Sequence, residues 1–362
     1  MKHVEPTPWI RKIPKYTPGI SKEEISRRYG TPHPIKLASN ENLLGPSPRA
    51  IEAIEAMKNS VHLYPDPEAT ALRKAAAHFF KCPQEQIIAA NGSDEVIDFI
   101  CRAYITPGDE VIIPECTFSY YRIASVACGA EVVTTAMDAL SIDITRIAEA
   151  ITPKTKMVFI ANPNNPTGLY LNRKSVRALL DLLPDEVILV LDEAYASFIR
   201  KHDFSSAVEL VHSHANIVTV HTLSKSHGLA GIRVGFGITG ADIMENLLRI
   251  KPPFNVNSLA IKAGEAALYD EDFLQKTLTA TWEGLDYFSE SFTRLGLTHV
   301  PSQTNFMLVK IGDRAREVYE ELLKQGIITR FMGSFGLPEY LRVSVGLSHE
   351  NRAFISALET LL

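Results

Sequence analysis

The sequence predicts an α/β protein in which a large, doubly wound and mostly parallel sheet domain precedes a smaller α+β domain. Within the first 250 residues, short runs that are apolar throughout alternate with helical segments, which is typical of parallel strands covered on both faces. Beyond the double proline at 252–253 the pattern changes to one long helix and then mixed strands and helices. The 362 residues, 46 % of them hydrophobic, are enough for two such cores.

The first thirty-four residues contain six prolines and little periodicity, so we expect an extended arm there. The predicted division is therefore an arm with part of the small domain over 1–34, a large domain over 35–251 and a small domain over 252–362.

Helix signals open the predicted large domain. Ser47 and Pro48 suit an N-cap and a first helical residue, a second helix is expected over 68–80, and a third from Ser93. The apolar runs that we predict as strands are 87–90, 110–113, 157–160, 187–191, 217–220 and 232–238. In the smaller domain we expect helices over 272–295, 314–325 and 349–361 and strands over 306–309, 327–329 and 341–345.

Net charge and composition indicate which class of partner this protein binds. The formal net charge is −5 and no run of like charges occurs, so the sequence indicates small-molecule partners and neither nucleic acid nor a membrane surface. The absence of a long apolar stretch or signal core predicts a cytoplasmic protein. The four cysteines include no C-x-x-C pair. Histidines 212 and 214 could share one face of a strand, but no third ligand clusters near them, so no metal site is expected.

Four predicted strands end in unusually polar sequences. These are 91–95 (NGSDE), 162–168 (NPNNPTG), 192–195 (DEAY) and 222–225 (TLSK). Ligands of open α/β sheets bind beyond the carboxyl ends of the strands, so these segments are the candidate site.

The residue types at these ends suit one kind of chemistry. A carboxylate at Asp192 is partly desolvated and needs a cation or several donors, although an N-cap or an internal ion pair would also satisfy it. Lys225 could lose its proton in such a cleft and act as an amine nucleophile for carbonyls. Hydroxyl groups before it and a guanidinium at Arg233 would form a cradle for a phosphate monoester.

Pyridoxal 5′-phosphate needs all three at once: a Schiff-base lysine, a carboxylate for its ring nitrogen and a phosphate cradle. The segments NPTG (165–168), DEAY (192–195), SK (224–225) and GIRVG (231–235), in this order, resemble the fold-type I pyridoxal-phosphate aminotransferases. The resemblance covers nearly the whole chain and implies the aspartate aminotransferase-like fold.

The resemblance also implies roles for single residues. Lys225 matches the lysine that binds the cofactor and then shuttles the substrate proton, and Asp192 matches the partner of the ring nitrogen. Asn165 and Tyr195 match the two donors to the ring oxygen O3′. The residues that match the phosphate cup are Gly92, Ser93, Asp94, Thr222, Ser224 and Arg233.

Two aromatic residues complete the implied cofactor site. Phe118 matches the ring that stacks on the cofactor, where the family often has tyrosine. Tyr64 matches a tyrosine that reaches the cofactor phosphate of a neighbouring subunit, so the resemblance implies a homodimer.

Among the subfamilies, the histidinol-phosphate aminotransferases resemble this sequence most closely. The segments that carry this likeness are 16–19 (YTPG), 39–42 (SNEN), 92–95 (GSDE) and 341–346 (LRVSVG). A substrate phosphate in one half-reaction and carboxylates of glutamate or 2-oxoglutarate in the other could share an arginine clamp. We expect Arg330 and Arg342 to form that clamp, with Tyr16 and Asn42 closing over the substrate.

Three alternatives remain open at the level of sequence. An aromatic amino-acid aminotransferase would use nearly the same motifs, and a lyase resembling threonine-phosphate decarboxylase would also join a phosphate-binding arginine to this scaffold. A non-catalytic nucleotide-binding or regulatory module is disfavoured, since no glycine-rich nucleotide loop is present.

Overall fold

The computed structural model describes residues 4–15, 19–42 and 44–362. Tyr16, which is predicted to close over the substrate, lies outside the described residues. Within them, no helix is long and apolar enough to cross a membrane, and no group of three potential metal ligands was found.

The helices are α1 (Lys22–Tyr29), α2 (Pro48–Met57), α3 (Thr70–Phe80), α4 (Ser93–Tyr104), α5 (Tyr120–Ala127), α6 (Ile144–Glu149), α7 (Arg173–Leu182), α8 (Ala241–Ile250), α9 (Ser258–Leu268), α10 (Glu271–Arg294), α11 (Ala315–Lys324) and α12 (Ser348–Leu361). The strands are β1 (Ile35–Lys36), β2 (Ile87–Ala90), β3 (Glu110–Pro114), β4 (Glu131–Thr135), β5 (Thr155–Ala161), β6 (Ile188–Asp192), β7 (Ile217–Thr222), β8 (Gly235–Thr239), β9 (His299–Val300), β10 (Phe306–Lys310), β11 (Ile327–Ile328), β12 (Arg330–Phe331) and β13 (Tyr340–Ser344).

A seven-stranded sheet forms the larger part of the fold. Its order is β2-β8-β7-β6-β5-β3-β4, with β8 antiparallel to both neighbours and the other pairings parallel. Alternate residues of the central strands belong to two separate apolar clusters, with Leu189 and Leu191 in one and Ile188 and Val190 in the other. The sheet is therefore covered on both faces, and the predicted doubly wound, mostly parallel architecture is confirmed.

A smaller antiparallel sheet lies in the C-terminal part of the chain. Its order is β12-β13-β10-β9, and α10, α11 and α12 supply much of the apolar layer packed on it. This is the α+β unit that the sequence predicts.

Two contacts cross the predicted division at 34/35 and 251/252. β1 pairs with β11, so residues at the start of the predicted large domain join the smaller unit. In the opposite direction, α9 packs against α2 and α3 and its apolar face belongs to a cluster of the large sheet. The division itself stays a prediction.

Local hydrogen bonds explain where the first helices begin. Ser47 accepts a hydrogen bond from the amide of Ala50, as an N-cap residue should, and Pro48 opens α2 as predicted. α3 begins at Thr70, two residues later than predicted, because Asp66 accepts the amide of Thr70.

Residues 22–29 correct the prediction of an extended arm, because they form helix α1. Ser21 accepts a hydrogen bond from the amide of Glu24, and Gly30 ends the helix with a φ of 71° that favours glycine. Only Ile25 of this helix is buried, so the apolar periodicity that marks longer helices is missing.

Two predicted strands also differ from the observed ones. The strand predicted over 232–238 begins only at Gly235, because Arg233 takes a φ of 62° that a strand does not allow. The segment predicted as one strand over 327–329 divides between two partners: β11 pairs with β1, and β12, which contains Arg330, pairs with β13.

Candidate active site

The carboxyl ends of β5, β6 and β7 lie side by side in the large sheet and carry three of the four predicted polar segments. β6 ends at Asp192, β7 ends at Thr222, and the loop after β5 contains Asn165. The parallel pairing of these strands is what brings segments distant in sequence to one edge.

Asp192 is a deeply buried carboxylate at this edge, with 5 % of its surface exposed. Its Oδ2 accepts a hydrogen bond from the hydroxyl of Tyr121 at 2.7 Å, and its Oδ1 accepts the amide of Ala194 at 3.0 Å. Burial raises the pKa of Asp192 to about 6, although both hydrogen bonds and the nearby Lys225 charge act in the opposite direction. A cationic N–H group placed here would stabilise the ionised carboxylate.

Tyr121 is a site residue that the sequence analysis missed. Its ring is fully buried and stacks on Phe159 with 4.9 Å between centroids, which directs the hydroxyl at Asp192. Burial and the adjacent carboxylate raise the pKa of Tyr121 well above its ordinary value, so it stays a donor. Its sequence signal, one of two successive tyrosines three residues after Phe118, does not distinguish it from a core aromatic residue.

Lys225 lies in the loop that follows β7. Its Nζ donates a hydrogen bond to the carbonyl oxygen of Ser39 at 3.3 Å and lies 5.9 Å from the ring centroid of Tyr195. Gly228 shapes this loop, since its φ is 70° and a Cβ there would collide with the backbone of Gly45. Lys225 and Asp192 thus follow the ends of two neighbouring parallel strands, β7 and β6.

The predicted phosphate cup gathers at the N-terminus of α4. The Arg233 guanidinium lies 3.3 Å from the carboxylate of Asp94, and a Cβ at Gly92 would approach that guanidinium to 2.5 Å. Thr222 donates its hydroxyl proton to Ser224 Oγ at 2.8 Å. Ser93 opens α4, where backbone N–H groups lack partners within the helix. Donors and a positive helix end in this arrangement can hold a phosphate group.

Burial raises the pKa of Asp94 at the cup, while Arg233 and Lys225 lower it. This carboxylate balances the positive charge of the cup.

Asn165 and Tyr195, the predicted donors to the ring oxygen, each receive a hydrogen bond from outside the large sheet. Arg342 Nη1 donates to Asn165 Oδ1 at 2.6 Å, which leaves the amide nitrogen as the group that Asn165 can offer a ligand. The hydroxyl of Tyr195 accepts from Asn40 Nδ2 at 2.9 Å. The sequence motif that contains Asn40 carries part of the family likeness, but the sequence analysis gave this residue no role.

The predicted arginine clamp occupies two neighbouring strands of the small sheet. Arg330 of β12 and Arg342 of β13 are directly opposite each other in an antiparallel pair, so both side chains lie on the same face. Arg342 is 7 % exposed and also donates to the carbonyl oxygen of Ala38 at 2.6 Å. Arg330 is half-buried and lies beside Gly19. Two guanidinium groups on one face form a surface suited to an anion.

Three further predicted site residues remain: Asn42, Phe118 and Tyr64. Asn42 lines a cavity of about 330 Å³ that reaches Lys225, and its amide donates to Ser226 O and Thr277 Oγ1. Phe118 is half-buried, with its ring 5.5 Å from that of Tyr121. Tyr64 is 83 % exposed and stacks on Phe254, away from the site of its own chain.

Comparisons with known proteins agree with this geometry. The sequence profile described as aminotransferase class I and II matches residues 32–358. The chain is 40 % identical over 353 residues to histidinol-phosphate aminotransferase of Symbiobacterium thermophilum, with 98 % of this chain and 97 % of the relative covered.

Two solved structures are similar along the whole chain. The histidinol-phosphate aminotransferase of Sinorhizobium meliloti, in complex with pyridoxal-5′-phosphate, gives a TM-score of 0.91 at 25 % identity and covers 100 % of this chain and 99 % of its own. A double mutant of Thermus thermophilus aspartate aminotransferase gives 0.86 at 22 % identity, with full coverage of both chains, and supports the fold. The chain therefore belongs to the aminotransferase class I and II family and, within it, to the histidinol-phosphate aminotransferases.

Proposed function

We propose that this protein is a pyridoxal-phosphate-dependent transaminase of histidine biosynthesis. It converts L-histidinol phosphate and 2-oxoglutarate to imidazole-acetol phosphate and L-glutamate, and the reverse. The observation that carries the proposal is that the buried carboxylate of Asp192 ends β6, while Lys225 lies in the loop that follows the neighbouring strand β7. The curated relative of the same name, 40 % identical across almost the whole chain, supports the choice of substrate over an aromatic amino acid or a decarboxylation.

The residues present fit the cofactor. A ring nitrogen that carries a proton would offset the burial that raises the pKa of Asp192. Absence of a Cβ at Gly92 leaves room for the Arg233 guanidinium beside the N-terminus of α4, where a phosphate would be held. Asn165 and Tyr195 would offer donors to the ring oxygen, and Phe118 would stack on the ring.

Lys225 carries the proton transfers in this proposal. When bound, pyridoxal 5′-phosphate supplies an aldehyde carbon that condenses with amines and a ring that takes up electrons from the bond broken at the substrate α-carbon. The Lys225 amine would take the proton from the substrate α-carbon and carry it to the aldehyde carbon of the cofactor. Asp192 keeps the proton on the ring nitrogen, since its negative charge stabilises the N–H cation.

We propose that Arg330 and Arg342 hold the anionic groups of both substrates. A phosphate ester and a carboxylate each pair with the planar fork of a guanidinium, so one pair of arginines can serve both half-reactions. Asn42 would close the opposite side of the site, next to Lys225. The predicted division gives the cofactor to the larger unit and these anion contacts to the smaller one.

We further propose that the protein is a homodimer. Tyr64 and Phe254 stack on each other at the surface, and Val61 and Leu63 beside them are about 60 % exposed. A second copy would cover this apolar patch and bring Tyr64 to the partner's phosphate cup. Sedimentation equilibrium tests this: a monomer at micromolar concentration would contradict it.

We also infer a cytoplasmic location, in keeping with four free cysteines.

The decisive experiment combines a spectrum with an assay. Purified protein reconstituted with pyridoxal phosphate should absorb visible light, and should form 2-oxoglutarate from glutamate when imidazole-acetol phosphate is the acceptor. Lys225→Ala should lose the covalently linked absorbance and the turnover. A higher kcat/KM for phenylalanine, or release of carbon dioxide without amino transfer, would contradict the proposed substrate or reaction.

A further inference from the structure

We propose that Asn40 is a positioning residue for the reaction, which directs the hydroxyl proton of Tyr195 toward the ring oxygen of the bound cofactor. The inference rests on the proposed function. It concerns a residue that does not itself reach the reacting atoms and acts through Tyr195.

The geometry is a short chain of hydrogen bonds between the small sheet and the site. The Ser344 hydroxyl, on β13, donates to Asn40 Oδ1 at 2.9 Å, and Asn40 Nδ2 donates to the Tyr195 hydroxyl at 2.9 Å. All three residues are buried, with Asn40 only 2 % exposed. Because these groups are buried, they depend on one another, and on a bound ligand, for hydrogen-bond partners.

The direction of the chain follows from the hydrogen inventory of each group. Ser344 Oγ accepts the backbone N–H of Asn40 at 2.9 Å, and its single proton goes to Asn40 Oδ1. The oxygen of the amide therefore faces Ser344 and the nitrogen faces Tyr195. Since the Tyr195 oxygen accepts a hydrogen bond from Asn40, the Tyr195 O–H is available to donate to a second acceptor, and the proposed cofactor oxygen is such an acceptor.

The backbone at Asn40 explains why asparagine suits this position. Its φ is 54°, a left-handed conformation that asparagine adopts more readily than most residues. Asn305 Nδ2 donates to the Asn40 carbonyl at 3.0 Å, which fixes the turn. An aspartate would have nearly the same shape, but it could only accept a proton from Tyr195.

The same strand supports the second predicted donor. Arg342 lies two residues before Ser344 on β13, so both side chains lie on one face, and Arg342 donates to Asn165. β13 therefore orients both residues that are proposed to donate to the ring oxygen, one directly and the other through Asn40.

The test compares three variants by spectroscopic titration of the protein loaded with pyridoxal phosphate and free of substrate. The measured quantity is the apparent pKa of the visible absorbance of the lysine-linked cofactor. N40D should raise this pKa by about 1 unit, because the carboxylate draws the Tyr195 proton away from the ring oxygen. N40A should raise it by less than half as much, since Tyr195 keeps its proton. Y195F should reproduce the N40D shift.

A double variant distinguishes the proposed role of Asn40 from a role in packing alone. In the Y195F background, N40D should add less than half of the shift that it causes alone, the remainder being the direct effect of the new carboxylate. An N40A shift as large as the N40D shift would show that Asn40 acts by filling space, which would overturn the inference. An equal N40D shift with and without the Tyr195 hydroxyl would overturn it too.

S344A provides a second route if N40D does not fold. Loss of the serine releases the amide of Asn40, so the same pKa should rise by a smaller amount, and an unchanged pKa would overturn the inference. Wild-type absorbance and transamination test the proposed function itself. If wild type binds no cofactor, the proposed function is wrong. If wild type is active but every variant titrates like it, only the proposed role of Asn40 is wrong.

Discussion

The two sheets bring charge to the site in different ways. At the edge of the seven-stranded sheet, charges of opposite sign lie near one another: Asp192 with Lys225, and Asp94 with Arg233. On the four-stranded sheet, two cations, Arg330 and Arg342, are directly opposite each other on one face. The charges at the edge of the seven-stranded sheet nearly cancel, which suits a bound cofactor that carries charges of both signs. The two cations of the four-stranded sheet suit an anionic substrate, which binds and dissociates in each half-reaction.

The largest expected effect is at Asp192, on the edge of the seven-stranded sheet. Asp192→Asn should still bind the cofactor but lose about a thousandfold in kcat, because a neutral amide does not keep the proton on the ring nitrogen. Stopped-flow half-reactions would measure this.

Glu193→Gln is the matched control for that change. Glu193 follows Asp192 and is equally buried, but its carboxylate accepts from Ser206 and Ala207, outside the residues proposed to hold the cofactor. It should stay within a few-fold of wild type. Similar losses in the two variants would show that burial at this edge, and not contact with the ring, determines the rate.

The second expected effect is at the arginine pair. R330A and R342A should each raise KM for histidinol phosphate and for glutamate by about tenfold or more, the equivalent of about 1.4 kcal/mol, with a smaller change in kcat for R330A. R342A should also change the cofactor absorbance, because Arg342 donates to Asn165. A KM defect for one substrate only would show that the two substrates do not share the arginine pair.

Stability against pH gives the third test. The pKa of Asp192 is raised to about 6 in the folded state, so the folded protein binds more protons than the unfolded chain between pH 4 and 6. Its stability contribution is therefore lost as pH rises through that interval. Cofactor-free Asp192→Asn should be about 2 to 3 kcal/mol more stable than wild type at pH 8, with the advantage fading toward pH 4.

Thermal or urea unfolding at several pH values measures that difference. Added cofactor should stabilise wild type more than the variant, since only the carboxylate gains a cationic partner. A pH-independent difference would mean that Asp192 is not charged in the empty site.

The smallest expected effect is binding of inorganic phosphate to the loaded enzyme. With the cup filled by the cofactor, phosphate should stabilise wild type by about 1 kcal/mol at roughly five times its dissociation constant. R330A should lose most of this stabilisation, and sulfate should behave like phosphate. Equal stabilisation of R330A would place the anion elsewhere on the protein.

Sequence patterns identified the residues that lie at strand ends. Asp192 and Lys225 follow apolar runs directly, and parallel strands end at a common edge, so their proximity could be predicted without coordinates. Tyr121 and Asn40 could not be assigned in this way. Their roles depend on where a buried ring and a left-handed turn direct one polar group, and neither leaves a periodic signal.

Short helices and strands were also difficult to predict from the sequence. Helix α1 buries one residue, and β11 and β12 are two residues each, so their apolar patterns are too brief to show a period. Arg330 consequently was expected beyond a strand, while it lies within β12 opposite Arg342.

Local composition and the order of motifs along the chain are enough to predict the class of fold, the two chemical groups at the central strand ends and the resemblance to an aminotransferase. Tertiary structure alone decided which partners complete them: the Tyr121 hydroxyl on Asp192, the arginine pair, and the chain from Ser344 through Asn40 to Tyr195. The physical reason is that hydrogen bonds between residues up to 304 positions apart depend on strand register and sheet packing, which no local pattern encodes.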